Sequence, residues 1–392
     1  MLTELSQVGF KSQIEHLAAQ LHSLVLEKRK FAKVLRSGNS SLSSLPEKFI
    51  GDVAGINESQ EFIVDVPACD LNRFTCAGVD GGIQSASLLG VDILLVRAVA
   101  AVISYTQKGI YSTSYFRSRN PQPKMMVSME RFSTREFENI INLRRTYEEL
   151  DTALELISDQ NQHIDLLLMD GSLTTSTYFV YSENSLLKPL ADNVLATMRS
   201  LIETSQKRGI LLAFVVKDSR SSYFVEFMGK ILPLLAERIP GLLKIAYRRV
   251  LRFSRDQDFM SHLLRVNTRS FCLRKGRLDL PGVDSSDFTV YSFYIKGSAY
   301  DSPLRIEFAQ QEMGSNETIA RIADATANKI STLLLPLSQF HAAYALPAPI
   351  IEADARACLP NHAMDLILQM LRNRAPLLET TRKKRERNPF KF

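Results

Sequence analysis

Apolar residues recur at helical spacing through the first 37 positions, at Leu5, Val8, Ile14, Leu17, Leu21, Leu24 and Val25. This predicts a long amphipathic N-terminal helix. The stretch SGNSSLSSLP breaks it, because Ser, Gly and Pro favour turns. An arm over residues 1–45 follows, with an apolar face to pack on the core or on a second subunit. The period then changes. FIVDVP reads as a short strand, FTCAGVDGG as an apolar run entering a glycine turn, and VDILLVRAVAAVISY as too apolar and β-branched for a surface helix. Tyr111 to Phe116 is expected to pair with the last of these, giving consecutive antiparallel strands after an Asp-Gly-Gly turn.

Helical periodicity returns from Thr134 to Ser158, where Phe137, Ile140, Ile141, Leu143, Tyr147, Leu150, Leu154 and Ile157 fall largely on one face. Ile164 to Met169 reads as a buried strand ended by Asp-Gly. Pro189 to Arg208 reads as helix, and ILLAFVVKDSRS as another buried strand with a polar end. Strand, helix and strand in that order predict parallel βαβ packing. Residues 233 to 266 read as mostly helical, FTVYSFYIKG and PLRIEFA as strands, and Thr318 to Leu335 and Ala363 to Arg372 as helices. The expected class is α/β, a mixed sheet flanked by helices, with the N-terminal arm and additional helical insertions. A basic tail over residues 373–392 closes the chain.

Composition narrows the classes. Of 392 residues, 45% are hydrophobic and 23% charged, enough to bury a substantial core. The net charge of +6 fits nucleic acid, an anionic membrane or an acidic protein. Its distribution says more: Arg248, Arg249, Arg252 and Arg255 form one cluster, Arg269, Arg274, Lys275 and Arg277 a second, and TRKKRERNPFKF a third. Cys69, Cys76, Cys272 and Cys358 have neither zinc-site spacing nor a disulfide framework, so free thiols in a reducing compartment are expected. There is no signal-peptide core and no run of about 18 apolar residues. A cytoplasmic protein without a membrane span is expected.

Two strands carry the same chemical signal: AGVDGG, with Asp80, and LLMDGS, with Asp170. Each places a carboxylate at the carboxyl end of an apolar strand, followed by glycine. Buried carboxylates are costly unless paired or metal-bound, so two of them point to a divalent cation site. Hard cations such as magnesium or manganese prefer oxygen ligands. Gly81 and Gly171 would let a phosphate approach the backbone closely. Asp-Gly is also among the commonest turn dipeptides, and two simple turns explain the same spacing.

The run AGVDGGIQSASLLGVDILLVRAVAAVISY resembles the opening motif of NurA nucleases. DLLLMDGSLTT resembles their second aspartate motif, LAFVVKDSRS their following lysine-bearing strand, and YDSPLRIEFA and YALPAPIIEADARA their two late motifs. The five stand in the family's order over about residues 70 to 370. The resemblance implies an RNase H-like core, placed here at residues 60–372, and a manganese- or magnesium-dependent nuclease that cuts DNA. It also implies a homodimer working with HerA, a hexameric ATPase that translocates DNA during end resection.

Under that resemblance Asp80 and Asp170 match the metal-binding aspartates. The family places a glutamate on the preceding helix, where RRTYEELDTALELI offers Glu148 and Glu149. Glu149 suits the local pattern better, and adjacent helical residues point in different directions, so one of the two should face the metal. Lys217 matches the lysine ending the third core strand, where a cation steadies phosphate or developing charge. Gly81, Gly171, Ser172, Ser219 and Arg305 are the remaining candidate substrate contacts, although Arg305 and Glu307 share a strand face and also read as an ion pair. Asp354 stands where archaeal members carry histidine. It can ligate a metal but supplies no neutral imidazole, and His341 upstream is either a substitute or structural.

The implied reaction is phosphodiester hydrolysis with two ions about 4 Å apart, held by Asp80, Glu149 and Asp170, with Asp354 as a further ligand. Two other classes stay open. An actin-like or sugar-kinase-like ATPase also has phosphate loops that begin with Asp-Gly after a strand, but no glycine-rich run follows residue 230. A non-catalytic DNA-binding or scaffold subunit would have no need of Asp80, Asp170 and Lys217 together.

Overall fold

The structure, a computed structural model, describes residues 9–46, 49, 52–53, 61–88, 90–174, 187–278, 288–311, 314–360 and 362–375. The basic tail from residue 376 onward lies outside these. Helix α1 (Phe10–Ser37) opens the chain, followed by β1 (Ile63–Asp65). Strands β2 (Phe74–Leu88), β3 (Val91–Thr106), β4 (Gly109–Tyr115) and β5 (Lys124–Ser128) lead to α2 (Thr134–Ser158). Then come β6 (Leu166–Asp170), α3 (Leu187–Lys207) and β7 (Leu211–Val216). Helices α4 (Tyr223–Leu235), α5 (Tyr247–Arg252) and α6 (Asp256–Leu263) form an insertion. Strands β8 (Thr268–Ser270), β9 (Leu273–Arg277), β10 (Phe288–Lys296) and β11 (Leu304–Gln311) precede α7 (Asn316–Ser338), α8 (Ala348–Ala357) and α9 (His362–Arg374).

The strands form one mixed sheet in the order β1-β8-β10-β11-β7-β6-β2-β3-β4, with β5 beside β3 and β9 beside β10. β3 runs antiparallel to both β2 and β4, whereas β6 runs parallel to β2 and β7 parallel to β6. Alternation along β6 sends Leu167 and Met169 to the face covered by α2 and α3, and Leu166 and Leu168 to the face covered by α7 and α8. A third core joins the second half of α1 to the insertion through Phe31, Phe224, Phe259 and Phe271. The first half of α1 leaves Phe10, Ile14, Leu17 and Leu21 exposed. Helix α2 begins on a capping box, Ser133 with Glu136, which satisfies two otherwise orphaned donors. No helix among the described residues is long and apolar enough to cross a membrane.

Two expectations are corrected. Asp80-Gly81-Gly82 does not turn: β2 runs through it to Leu88, with Asp80 opposite Val99 and Gly82 opposite Arg97. Asp80 is therefore mid-strand. The glycines serve packing instead. A Cβ at Gly82 would lie 2.0 Å from the Ala357 carbonyl oxygen, and one at Gly78 2.3 Å from the Pro349 carbonyl carbon. Their absence lets α8 lie directly on the sheet. Second, α4 starts at Tyr223, ahead of the helical block expected from residue 233. Ser222 stands at its N-cap without a side-chain cap bond, and the first turn is held from a distance instead, the Val225 amide donating 2.8 Å to Asp256 Oδ1.

Candidate active site

Val79 on β2 is level with Met169 on β6, so the next residues, Asp80 and Asp170, stand side by side on parallel strands. Asp170 is level with Val215 on β7, which places Lys217 just beyond the end of that neighbouring strand. Its Nζ lies 3.3 Å from Asp170 Oδ2, 3.6 Å from Asp80 Oδ2 and 3.8 Å from Asp354 Oδ1. The close seat of α8 on the glycines brings Asp354 to the cluster. Glu149 arrives from α2. A Cβ on Gly81 would be 2.6 Å from Glu149 Oε1, so Glu149 fills the space that Gly81 leaves. That space is not open to a phosphate as the sequence reading expected. Glu148 turns away and pairs with Lys124 at 2.6 Å.

The structure thus brings Asp80, Glu149, Asp170, Lys217 and Asp354 together. Asp80 is only 4% exposed, and its pKa is pushed up to about 7, first by burial and then by the charge of Asp170. Burial likewise raises Glu149 well above the carboxylate range, with Asp80 and Asp170 adding to it and Arg145 opposing. Burial disfavours the Lys217 ammonium, but Asp170, Asp80 and Asp354 more than offset this and raise its pKa. Asp80 Oδ1 accepts the Gly81 amide at 2.7 Å. Asp80 Oδ2 is buried and accepts no hydrogen bond.

An oxygen-rich cluster with an unsatisfied buried carboxylate oxygen suits a hard divalent cation. Lys217 Nζ occupies its centre, and among the described residues no three ligating side chains already converge as a metal cage. If Glu149 belongs to the metal set and Glu148 does not, Glu149→Gln should remove most activity and Glu148→Gln little. Steady-state cleavage rates of the two variants check this, and the reverse order would reject the assignment.

The other candidate contacts gather in an adjoining network around Glu307, which has no exposed surface. Glu307 accepts from Ser172 Oγ (2.7 Å), the Leu173 amide (2.9 Å) and Lys275 Nζ (2.7 Å), and Arg305 Nε lies 3.0 Å away. Burial alone would raise the Glu307 pKa, but Lys275 and Arg305 hold it below the ordinary value. Arg305 also donates to Ser219 Oγ. Arg305 and Ser219 are buried and turned toward each other. Gly171, at φ 97° with open space around it, makes the turn between Asp170 and this network, a conformation that favours glycine. His341 is exposed, and its Nδ1 accepts the local Ala343 amide.

Sequence reasoning missed Lys275 as a partner of Glu307. It also missed Gln257, whose Nε2 donates 2.7 Å to the Lys217 carbonyl and whose Oε1 accepts the Ser219 amide. Both come from distant segments and carry no local signal. Glu307→Ala would strand Lys275 and Arg305 as uncompensated interior charges, at a cost of about 3–5 kcal/mol. Urea denaturation is the check, and a loss below about 1 kcal/mol would contradict it.

The antiparallel strands β2 to β5 followed by β6 and β7, which run parallel to β2, with carboxylates on β2 and β6, define a protein of the RNase H-like class with an acidic centre. The profile of the NurA domain matches residues 74–358. The chain belongs to the NurA family. The structure is similar to the NurA nuclease from Sulfolobus solfataricus, at 14% identity and a TM-score of 0.50, over 95% of this chain and 96% of that one. A NurA structure with manganese aligns with 79% of this chain and 91% of its own at 10% identity and a TM-score of 0.45. No curated protein matches the chain.

Proposed function

We propose that this chain is a metal-dependent deoxyribonuclease that hydrolyses phosphodiester bonds at the Asp80 centre, as an exonuclease, a single-strand endonuclease or both. The observation that carries the reading is the buried Asp80, its Oδ2 without a hydrogen bond, held beside Asp170 and close to Glu149 and Asp354. A fold that concentrates acids at such electrostatic cost, around one lysine, is built to hold cations. Asp80, Glu149, Asp170 and Asp354 would hold two manganese or magnesium ions, which when bound supply a low-pKa water and Lewis acidity toward a phosphoryl oxygen. Lys217, already among the acids, steadies the negative charge that develops on the phosphate. Ser172 and Gly171 shape the exit from Asp170 through Glu307.

Substrate grip in this reading is mostly phosphate contact, insensitive to sequence and weakened by salt. Family membership supports a homodimer that works with a HerA-type hexameric ATPase in DNA end processing or defence. The uncovered Phe10, Ile14, Leu17 and Leu21 stripe of α1 is the apolar surface a second copy would cover. β2 continues through Asp-Gly-Gly, which argues against the ATPase alternative because its phosphate loop needs a turn there. Incubation of the purified chain with labelled DNA and manganese should yield shortened products. ATP hydrolysis without DNA cleavage would reject the nuclease reading.

A further inference from the structure

The acidic centre makes no use of one strongly basic, acid-free segment among the described residues. Residues 244–255 carry Lys244, Arg248, Arg249, Arg252 and Arg255 and no acid, and all five cations are exposed. The cause lies in α5, which buries Tyr247, Val250 and Leu251 and so turns its charged side outward. Arg248 and Arg252, four residues apart, share that side. Arg249 has a partner in Glu27 at 3.6 Å. The acid closest along the chain to the α5–α6 linker, Asp256, faces inward and is taken up by the Val225 amide and the Tyr294 hydroxyl.

Phe253 follows in the linker. The residue is 58% exposed, and the Arg252 guanidinium lies 5.8 Å from its ring centroid. The linker is also tied to the acidic centre. Beyond the Gln257 bonds to Lys217 and Ser219, the Asp256 amide donates 2.9 Å to the Ser221 carbonyl. The basic surface therefore begins at the loop that carries Lys217.

We infer that α5 and the Phe253–Arg255 linker form a track for single-stranded nucleic acid leading to the Asp80 centre. Phe253 stacks on a base, while Arg248, Arg252 and Arg255 contact phosphates. An open aromatic ring among cations is the arrangement that grips single strands, whose bases offer a free face. A duplex keeps its bases stacked on one another. The direction of the track rests on the nuclease reading; the binding itself does not.

The test uses the full chain without divalent metal and a labelled oligothymidylate of about 20 nucleotides, read by anisotropy beside a duplex of equal length. Phe253→Ala should weaken single-strand binding about tenfold and leave duplex binding unchanged, while Phe253→Tyr keeps wild-type affinity. Replacing Arg248, Arg252 and Arg255 together by Ala should flatten the log–log salt slope by about two units. Cleavage of bis(p-nitrophenyl) phosphate in manganese, too short to reach the track, should be the same in wild type and in all these variants. Unchanged single-strand affinity in Phe253→Ala, or an equal loss on duplex, overturns the inference. An unchanged salt slope overturns it too. Wild type that binds as described but cleaves nothing supports the track and defeats the nuclease reading alone.

Discussion

Asp170→Ala and Asp80→Ala are each expected to lower DNA cleavage by about a thousandfold, the upper range for loss of one electrostatic contact to a transition state. The two side chains stand on adjacent parallel strands and share Lys217, so they act as one unit. The double variant should then be hardly worse than either single one, because residues that act together lose their effects non-additively. Single-turnover rates in manganese measure this. A rate within tenfold of wild type in either variant would remove that residue from the chemistry.

Asp80→Asn is expected to stabilise the metal-free protein. Asp80 has its folded pKa pushed up to about 7, against about 3.9 for a free aspartate. Between those values the folded chain holds a proton that the unfolded chain has released, so stability falls as pH rises through about 4 to 7. The full cost stands above about pH 7 and amounts to as much as about 4 kcal/mol. The neutral amide removes it. Melting in chelator at pH 8 should show the variant several degrees above wild type, and at pH 4 the two should nearly coincide. Added manganese should raise the wild-type Tm by mass action and leave Asp80→Asn nearly unmoved. A variant less stable than wild type at pH 8 would mean that Asp80 is a structural ion-pair member.

These residues also show how far the chain could be read without coordinates. Asp80 and Asp170 stood out because apolar runs flank them, and burial of the strands follows from those runs. The Asp-Gly-Gly turn failed because local chemistry cannot tell a glycine needed for a turn from one needed for a close approach. What separates them is the Ala357 carbonyl, which a Cβ at Gly82 would strike. Glu148 and Glu149 differ by one helical step, and the contact with Gly81 selects Glu149 as the one that faces the cluster. Arg305 and Glu307 were visible as a same-face pair, but Lys275, Ser172 and Ser219 join them only through the strand order. The start of helix α4 escaped although Ser222 stands at its N-cap, because the carboxylate that holds its first turn, Asp256, is 31 residues from Val225.

The central claim is that Asp80 anchors a divalent metal that cuts DNA. Its most direct test is cleavage of an end-labelled oligonucleotide by the purified wild-type chain in manganese, in excess chelator, and after manganese is restored, with Asp80→Ala alongside. The account predicts cleavage in manganese, none in chelator, recovery on restoration, and cleavage lowered about a thousandfold in Asp80→Ala. Cleavage that persists in chelator, or that Asp80→Ala performs at the wild-type rate, would contradict it.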